Sequence, residues 1–187
     1  MLRLAHRFPV ARSSFSIVKS HQDLQLRLAS AKPAAKSASE DVPSTEHLKG
    51  RSFELERVFS KKDLLHFGWL TGDSNPIHLE DSAARRANFE SCVVHGMLAA
   101  SLFPAIIGSK YPGAVYLSQE VNFKAPLLVD EHVTATVKCT SAKLLRQTYR
   151  AVFSTVCCKD DGTVVIDGVA RALIPVASVK AEGMSTK

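Results

Sequence analysis

Two short stretches hold residues whose types and spacing suit acid–base chemistry. In Thr71-Gly72-Asp73-Ser74-Asn75-Pro76-Ile77-His78 a carboxylate and an imidazole stand five residues apart across a turn of Gly, Asn and Pro. In Val94-His95-Gly96-Met97-Leu98-Ala99-Ala100-Ser101 a run of small and apolar residues starts on a glycine. An imidazole exchanges protons near neutral pH, and a carboxylate in the same cleft can divide the roles of acid and base with it. The N–H groups at a helix start have no intrahelical acceptor and can hold a developing oxyanion. Asp73 and His78 are therefore the expected catalytic pair. Gly96 is expected to polarise a substrate carbonyl through its backbone N–H, and Asn75 to tie down the loop. The plainer reading makes Asp73 and Asn75 turn-formers, His78 a structural histidine and Gly96 a point of close helix–sheet approach. The presence of both stretches in one chain favours chemistry.

The surrounding elements must present these groups. Phe53, Leu55, Val58 and Phe59 form a roughly alternating run, the first strand expected. Ser60 stands where a helix N-cap belongs, with Asp63 three residues on, so residues 60–70 read as a helix that delivers the chain to the motif. Pro76 biases Asn75 towards an extended conformation. Residues 80–87 read as a short helical turn carrying Arg85 and Arg86. Residues 95–107 read as the principal helix, apolar nearly all round and therefore buried, with Pro104 kinking or shortening its last turn. Strands are expected at 114–124, 131–144, 147–159 and 163–174, with Asp161-Gly162 as a hairpin turn signal. One buried helix against a run of antiparallel strands is an α+β arrangement.

The net charge of +6 is confined to one end of the chain. Seven basic residues and one acid (Asp23) lie within 1–39; the remaining 17 basic and 17 acidic residues cancel. A nucleic-acid-binding domain needs a basic face on the fold itself, and composition supports none. The Arg- and Ser-rich segment, without an acid before Asp23, reads as an organelle transit leader, mitochondrial first and plastid second. Residues 30–49 read as a linker, and residues 40–187 are expected to hold the domain. The final Ser185-Thr186-Lys187 does not match a Ser-Lys-Leu peroxisomal address. No stretch approaches the roughly 20 apolar residues of a membrane span. The four cysteines, at 92, 139, 157 and 158, fit no zinc spacing and read as reduced, mostly buried thiols; the adjacent Cys157 and Cys158 should point to opposite faces of a strand.

At residues 67–78 and 94–101 the chain resembles the MaoC-like, R-specific enoyl-thioester hydratases/dehydratases. That family's pattern is an aromatic shortly before Gly-Asp-x-Asn-Pro-aliphatic-His, matched here by Phe67 and residues 72–78. The resemblance spans roughly residues 50–175. It implies a hotdog fold, a sheet wrapped round a long central helix that usually pairs with a second copy. It implies that Asp73 and His78 hold the water added to C3 of a trans-2-enoyl thioester, giving an (R)-3-hydroxyacyl product, without metal or redox cofactor. It places a serine at Ser101 in contact with the active-site loop; tight packing is the alternative reason for a small residue there. His95 orients the turn, with no catalytic role assigned. Val129-Asp130-Glu131 departs from the Gly-Asp that relatives often carry, which concerns the geometry of one turn.

With the leader, the resemblance points to a dehydratase of mitochondrial fatty-acid synthesis acting on acyl carrier protein or a CoA thioester, as a homodimer. Arg85 and Arg86 are the expected docking groups for an acidic carrier, or else a solvated helix face. A thioesterase of the same fold would need a group poised at C1. A non-catalytic acyl-binding subunit would need no acid–base pair.

Overall fold

The computed structural model describes residues 47–179. The leader at 1–39, most of the linker and the C-terminal tripeptide lie outside the described residues. The chain runs β1 (Ser52–Val58), α1 (Lys61–Thr71), α2 (Pro76–Leu79), α3 (Asp81–Arg86), α4 (Gly96–Ala100), α5 (Leu102–Lys110), β2 (Val115–Phe123), β3 (His132–Leu145), β4 (Thr148–Lys159) and β5 (Val164–Pro175). The five strands form one sheet in the order β1-β3-β4-β5-β2, antiparallel throughout.

Strict alternation decides which face of the sheet is covered. Val133, Ala135, Val137 and Cys139 on β3, and Tyr149, Ala151, Phe153, Thr155 and Cys157 on β4, are all buried. They form one core with Leu102, Phe103, Ile106 and Ile107 of α5, a face that period-2 and period-3.6 patterns bury together. Three β-bulges, at Tyr116/Ser118, Cys139/Ser141 and Cys157/Cys158, add twist that curls the sheet. Cys157 is fully buried and Cys158 only partly so, as adjacent strand residues require.

Three expectations change. The principal helix is two segments, broken at Ser101 rather than shortened at its end. Pro104 has no N–H for the carbonyl four residues back, Ala100, so its effect falls on the preceding turn while the helix continues to Lys110. The helix is not buried all round: Ser101, Pro104, Ala105 and Gly108 are exposed on one face, because a single sheet covers only the other. The end of the segment read as linker belongs to the fold. Leu48 is wholly buried, and Gly50 N–H donates to the Cys139 carbonyl at 2.8 Å.

Local signals place the elements around the site. Ser60 caps α1 in a full capping box with Asp63, whose carboxyl these hydrogen bonds hold below its ordinary pKa. Asp81 ties the starts of α1 and α3 to the Cys92 strand segment. It accepts from Cys92 N–H at 3.2 Å and from Lys61 at 3.0 Å, and contact with Cys92 and Lys61 holds it down to about 2. The turn at 129–131 closes with Asp130 at φ 64, a left-handed conformation that Asp tolerates, and with the Glu131 carboxylate accepting from Leu128 N–H at 2.7 Å. Among the described residues no helix is long and apolar enough to cross a membrane.

Candidate active site

The Asp73 loop is built from its own side chains. α1 ends on Gly72, whose N–H donates to the Gly68 carbonyl at 2.8 Å. Asp73 Oδ1 accepts from Asn75 N–H at 3.1 Å. Asn75 Oδ1 accepts from Ile77 N–H at 3.3 Å and so caps α2, with Pro76 at the first helical position where its missing N–H costs nothing. Asn75 thus ties down the loop by capping. Asp73 Oδ2 is left to face His78 and His95.

His78 is aimed by a second segment. Its Nδ1 meets the Val93 carbonyl at 2.6 Å, and Val93 N–H donates back to the Ile77 carbonyl at 3.0 Å. Residues 92–94 are held in turn by the 127–129 loop, through Val94 N–H to Leu127 O at 2.8 Å and Val129 N–H to Cys92 O at 2.9 Å. A carbonyl at Nδ1 fixes the proton there, so a neutral His78 carries its lone pair on Nε2. That Nε2 lies 3.9 Å from Asp73 Oδ2.

The same strand segment delivers His95, which the sequence left without a chemical role. Its Nε2 lies 3.8 Å from Asp73 Oδ2, its ring stacks on His78 with centroids 3.9 Å apart, and Phe67 closes the far side at 5.0 Å. Burial, and then the neighbouring His78, push the His95 pKa below its ordinary value; Asp73 acts in the opposite direction. Seventeen residues separate His78 from His95, and no periodicity links them; the segment crossing at Val93 brings them together.

Two glycines make the site possible through what they lack. A Cβ on Gly68 would stand 2.8 Å from the Asp73 carbonyl oxygen, so α1 could not pass beneath the loop. A Cβ on Gly96 would stand 2.5 Å from Cε1 of Phe123, an exposed ring that would have to swing aside. Gly96 is also the first residue of α4 after the cap His95, where its N–H has no intrahelical acceptor.

The hydroxyl of Ser101 donates to the Leu98 carbonyl at 2.6 Å, within its own helix break. A hydroxyl that close to its own preceding turn is satisfied locally. Arg85 and Arg86 are exposed in the last turn of α3. An open hollow of about 240 Å³ is lined by Phe59, Phe67, Leu70 and Leu98 among others.

Asp73, His78 and His95 offer donor atoms within 4.8 Å of one another, the one such group among the described residues. The rings of His78 and His95 are stacked 25° from parallel.

The sequence profile of the family described as "MaoC like domain" matches residues 43–156, and the chain belongs to that family. Its architecture is the hotdog fold. Among curated proteins it is 42% identical over 126 residues to the "3-hydroxyacyl-[acyl-carrier-protein] dehydratase FERN, mitochondrial" of Solanum lycopersicum, covering 67% of this chain and 76% of that one. It is 36% identical over 128 residues to the "(R)-specific enoyl-CoA hydratase" of Rhodospirillum rubrum, covering 67% and 87%. Among solved structures it superposes on the (R)-hydratase from A. caviae with TM-score 0.63 and 31% identity, covering 74% of this chain and all of that one.

Proposed function

We propose that this chain interconverts (R)-3-hydroxyacyl and trans-2-enoyl thioesters, as a dehydratase or, in reverse, a hydratase. The observation that carries the reading is the Asp73–His78 pair. A carboxylate oxygen and an imidazole nitrogen, 3.9 Å apart, face one point, each held by bonds made by its other atom. In the hydration direction the pair holds one water whose oxygen bonds C3. One member of the pair takes a proton from that water, and a proton is delivered to C2. Charge developing on the thioester oxygen is met by the Gly96 N–H at the start of α4.

The finer reading is a dehydratase of fatty-acid synthesis acting on an acyl carrier protein in mitochondria. The basic, Ser-containing leader supports it, as do relatives from tomato and Arabidopsis thaliana whose names specify both carrier and organelle. Residues 1–39 then serve as the transit leader and 40–187 as the catalytic domain. Arg85 and Arg86 offer an exposed cationic pair, seven and eight residues beyond His78, to an acidic carrier. A homodimer would cover the exposed face of α5 and the protruding Trp69 and Leu70.

Incubating the purified chain with crotonyl-CoA decides between classes. A hydratase removes the enoyl absorbance without releasing thiol; thiol release would mean a thioesterase, and neither change a binding subunit. Substrates on acyl carrier protein and on CoA, compared by kcat/KM, test the finer reading.

A further inference from the structure

His95 is 3% exposed, and neither ring nitrogen makes a well-formed hydrogen bond within the protein, the Asp73 backbone carbonyl offering at most a loose contact. Buried polar groups are normally paired, because an unpaired one loses its water without replacement. A phenyl ring would fill the same slot between Phe67 and His78 without that cost. The nitrogens therefore need a reason beyond packing.

Their position supplies one. Nε2 faces the Asp73 loop: it is 3.8 Å from Asp73 Oδ2, and the Asp73 backbone carbonyl lies close by. Both are acceptors, so the proton of a neutral ring belongs on Nε2. His78 Nε2 is 3.9 Å from the same Oδ2, and the donor atoms of the three residues lie within 4.8 Å of one another. Each of these separations is too long for a direct hydrogen bond. Each is also less than twice the roughly 2.8 Å that separates hydrogen-bonded partners, so one oxygen atom can bond all three groups at once.

Resting on the reading of this site as a hydratase/dehydratase, we propose that His95 is a third catalytic residue, its Nε2–H donating to the reacting oxygen. A water has two hydrogens and two lone pairs. Its hydrogens go to the two acceptors, Asp73 Oδ2 and His78 Nε2. His95 Nε2–H takes one lone pair, which leaves the other directed at C3 of the enoyl group. As that lone pair forms the C3–O bond, the π electrons of C2=C3 move towards the thioester. One acceptor takes a single proton from the water and passes it to C2, the water's other hydrogen stays on the new C3 hydroxyl, and the pair returns to its starting state. In dehydration the C3–O bond breaks with its electrons staying on oxygen, and the His95 donor stabilises the departing charge. A neutral ring does this without placing a second positive charge beside His78; burial favours that neutral form.

The test replaces His95 with Phe and with Gln and measures kcat, KM and melting temperature on crotonyl-CoA. His95→Phe should lower kcat by about 10²-fold, as loss of one preorganised donor does. It should leave KM little changed and the melting temperature equal or higher. His95→Gln, which restores an N–H, should recover about tenfold of the loss. Full activity of His95→Phe overturns the proposal, as does a parallel fall in kcat and melting temperature with no recovery in His95→Gln. If His95→Phe does not fold, long-range 1H–15N spectra of the wild-type imidazoles decide. A neutral Nε2–H tautomer at pH 7 supports the assignment; an Nδ1–H tautomer or an imidazolium overturns it. A wild-type chain unable to hydrate any enoyl thioester defeats the functional reading itself, which an active wild type with an active His95→Phe does not.

Discussion

Asp73 stands at the water-facing end of the cluster with 46% of its side chain exposed, His78 in the middle at 12%, and His95 at the buried end at 3%. This gradient suits a group of residues that must admit a substrate at one end and hold a ring rigidly at the other. Asp73→Asn and His78→Ala should each reduce kcat by about two orders of magnitude or more, the usual effect of losing an acid–base group. Asp73→Asn should keep its melting temperature, since the bond to Asn75 N–H needs only an acceptor. His78→Ala should lose about 1 kcal/mol with the Val93 bond. Near-normal turnover in either variant would refute the mechanism. Gly68→Ala tests the support beneath them. Alanine favours a helix over glycine by about 1 kcal/mol, but the added methyl meets backbone at 2.8 Å, not a side chain that can swing away. The clash should win, costing about 1–3 kcal/mol and lowering kcat tenfold or more as the Asp73 loop shifts. A more stable and fully active Gly68→Ala would show that the loop has room.

At the level of elements, two charged features make opposite kinds of prediction. His132 opens β3, with Glu56 of β1 and Asp160 after β4 on either side. The hydrogen bond to Asp160 is the chief cause of its raised pKa. A histidine raised in the folded state contributes stability that is fully present below its unfolded pKa of about 6.5 and is lost as pH rises through the folded value. His132→Gln should therefore lower the melting temperature at pH 6 more than at pH 9. The difference should be small, because the pair is largely solvated. An equal effect at both pH values would assign His132 a packing role instead. For Arg85 and Arg86 on α3 the proposed role concerns encounter, not folding. Reversing both to Glu should reduce kcat/KM on carrier-protein substrates at low salt, with the loss shrinking at high salt and short CoA thioesters spared. Equal losses on both substrate types would mean that the arginines support the site; no loss on either would make them a solvated helix face.

For the whole molecule, the charge separation between residues 1–39 and the remainder leads to a simple experiment. A chain beginning at Glu40 retains Leu48, the first buried core residue described, and should melt and turn over like the full chain. A collapse of either property would make residues 1–39 part of the domain. Trp69 at 85% and Leu70 at 75% leave two large apolar side chains exposed at the end of α1.

The sequence by itself determined the class of architecture and the chemistry on offer. Ser60 with Asp63 announced the start of α1, alternation from residue 114 onward announced the strands to within a residue or two, and the run from Asp73 to His78 announced a carboxylate and an imidazole on one turn. These signals are local: a cap, a period of two, a turn built from Gly, Asn and Pro, each readable within a dozen residues. The partnership of His95 with His78, the need for a bare α-carbon at Gly68, and the bond of the Ser101 hydroxyl to Leu98 were decided only by the folded structure. The first depends on residues 92–94 threading between α2 and the 127–129 loop, the other two on where single backbone carbonyls fall. The break at Ser101 belongs with them, since Pro104 acts through a carbonyl one turn away. A sequence shows which side chains are available; where a backbone oxygen and a ring nitrogen end up is set by packing among distant parts of the chain.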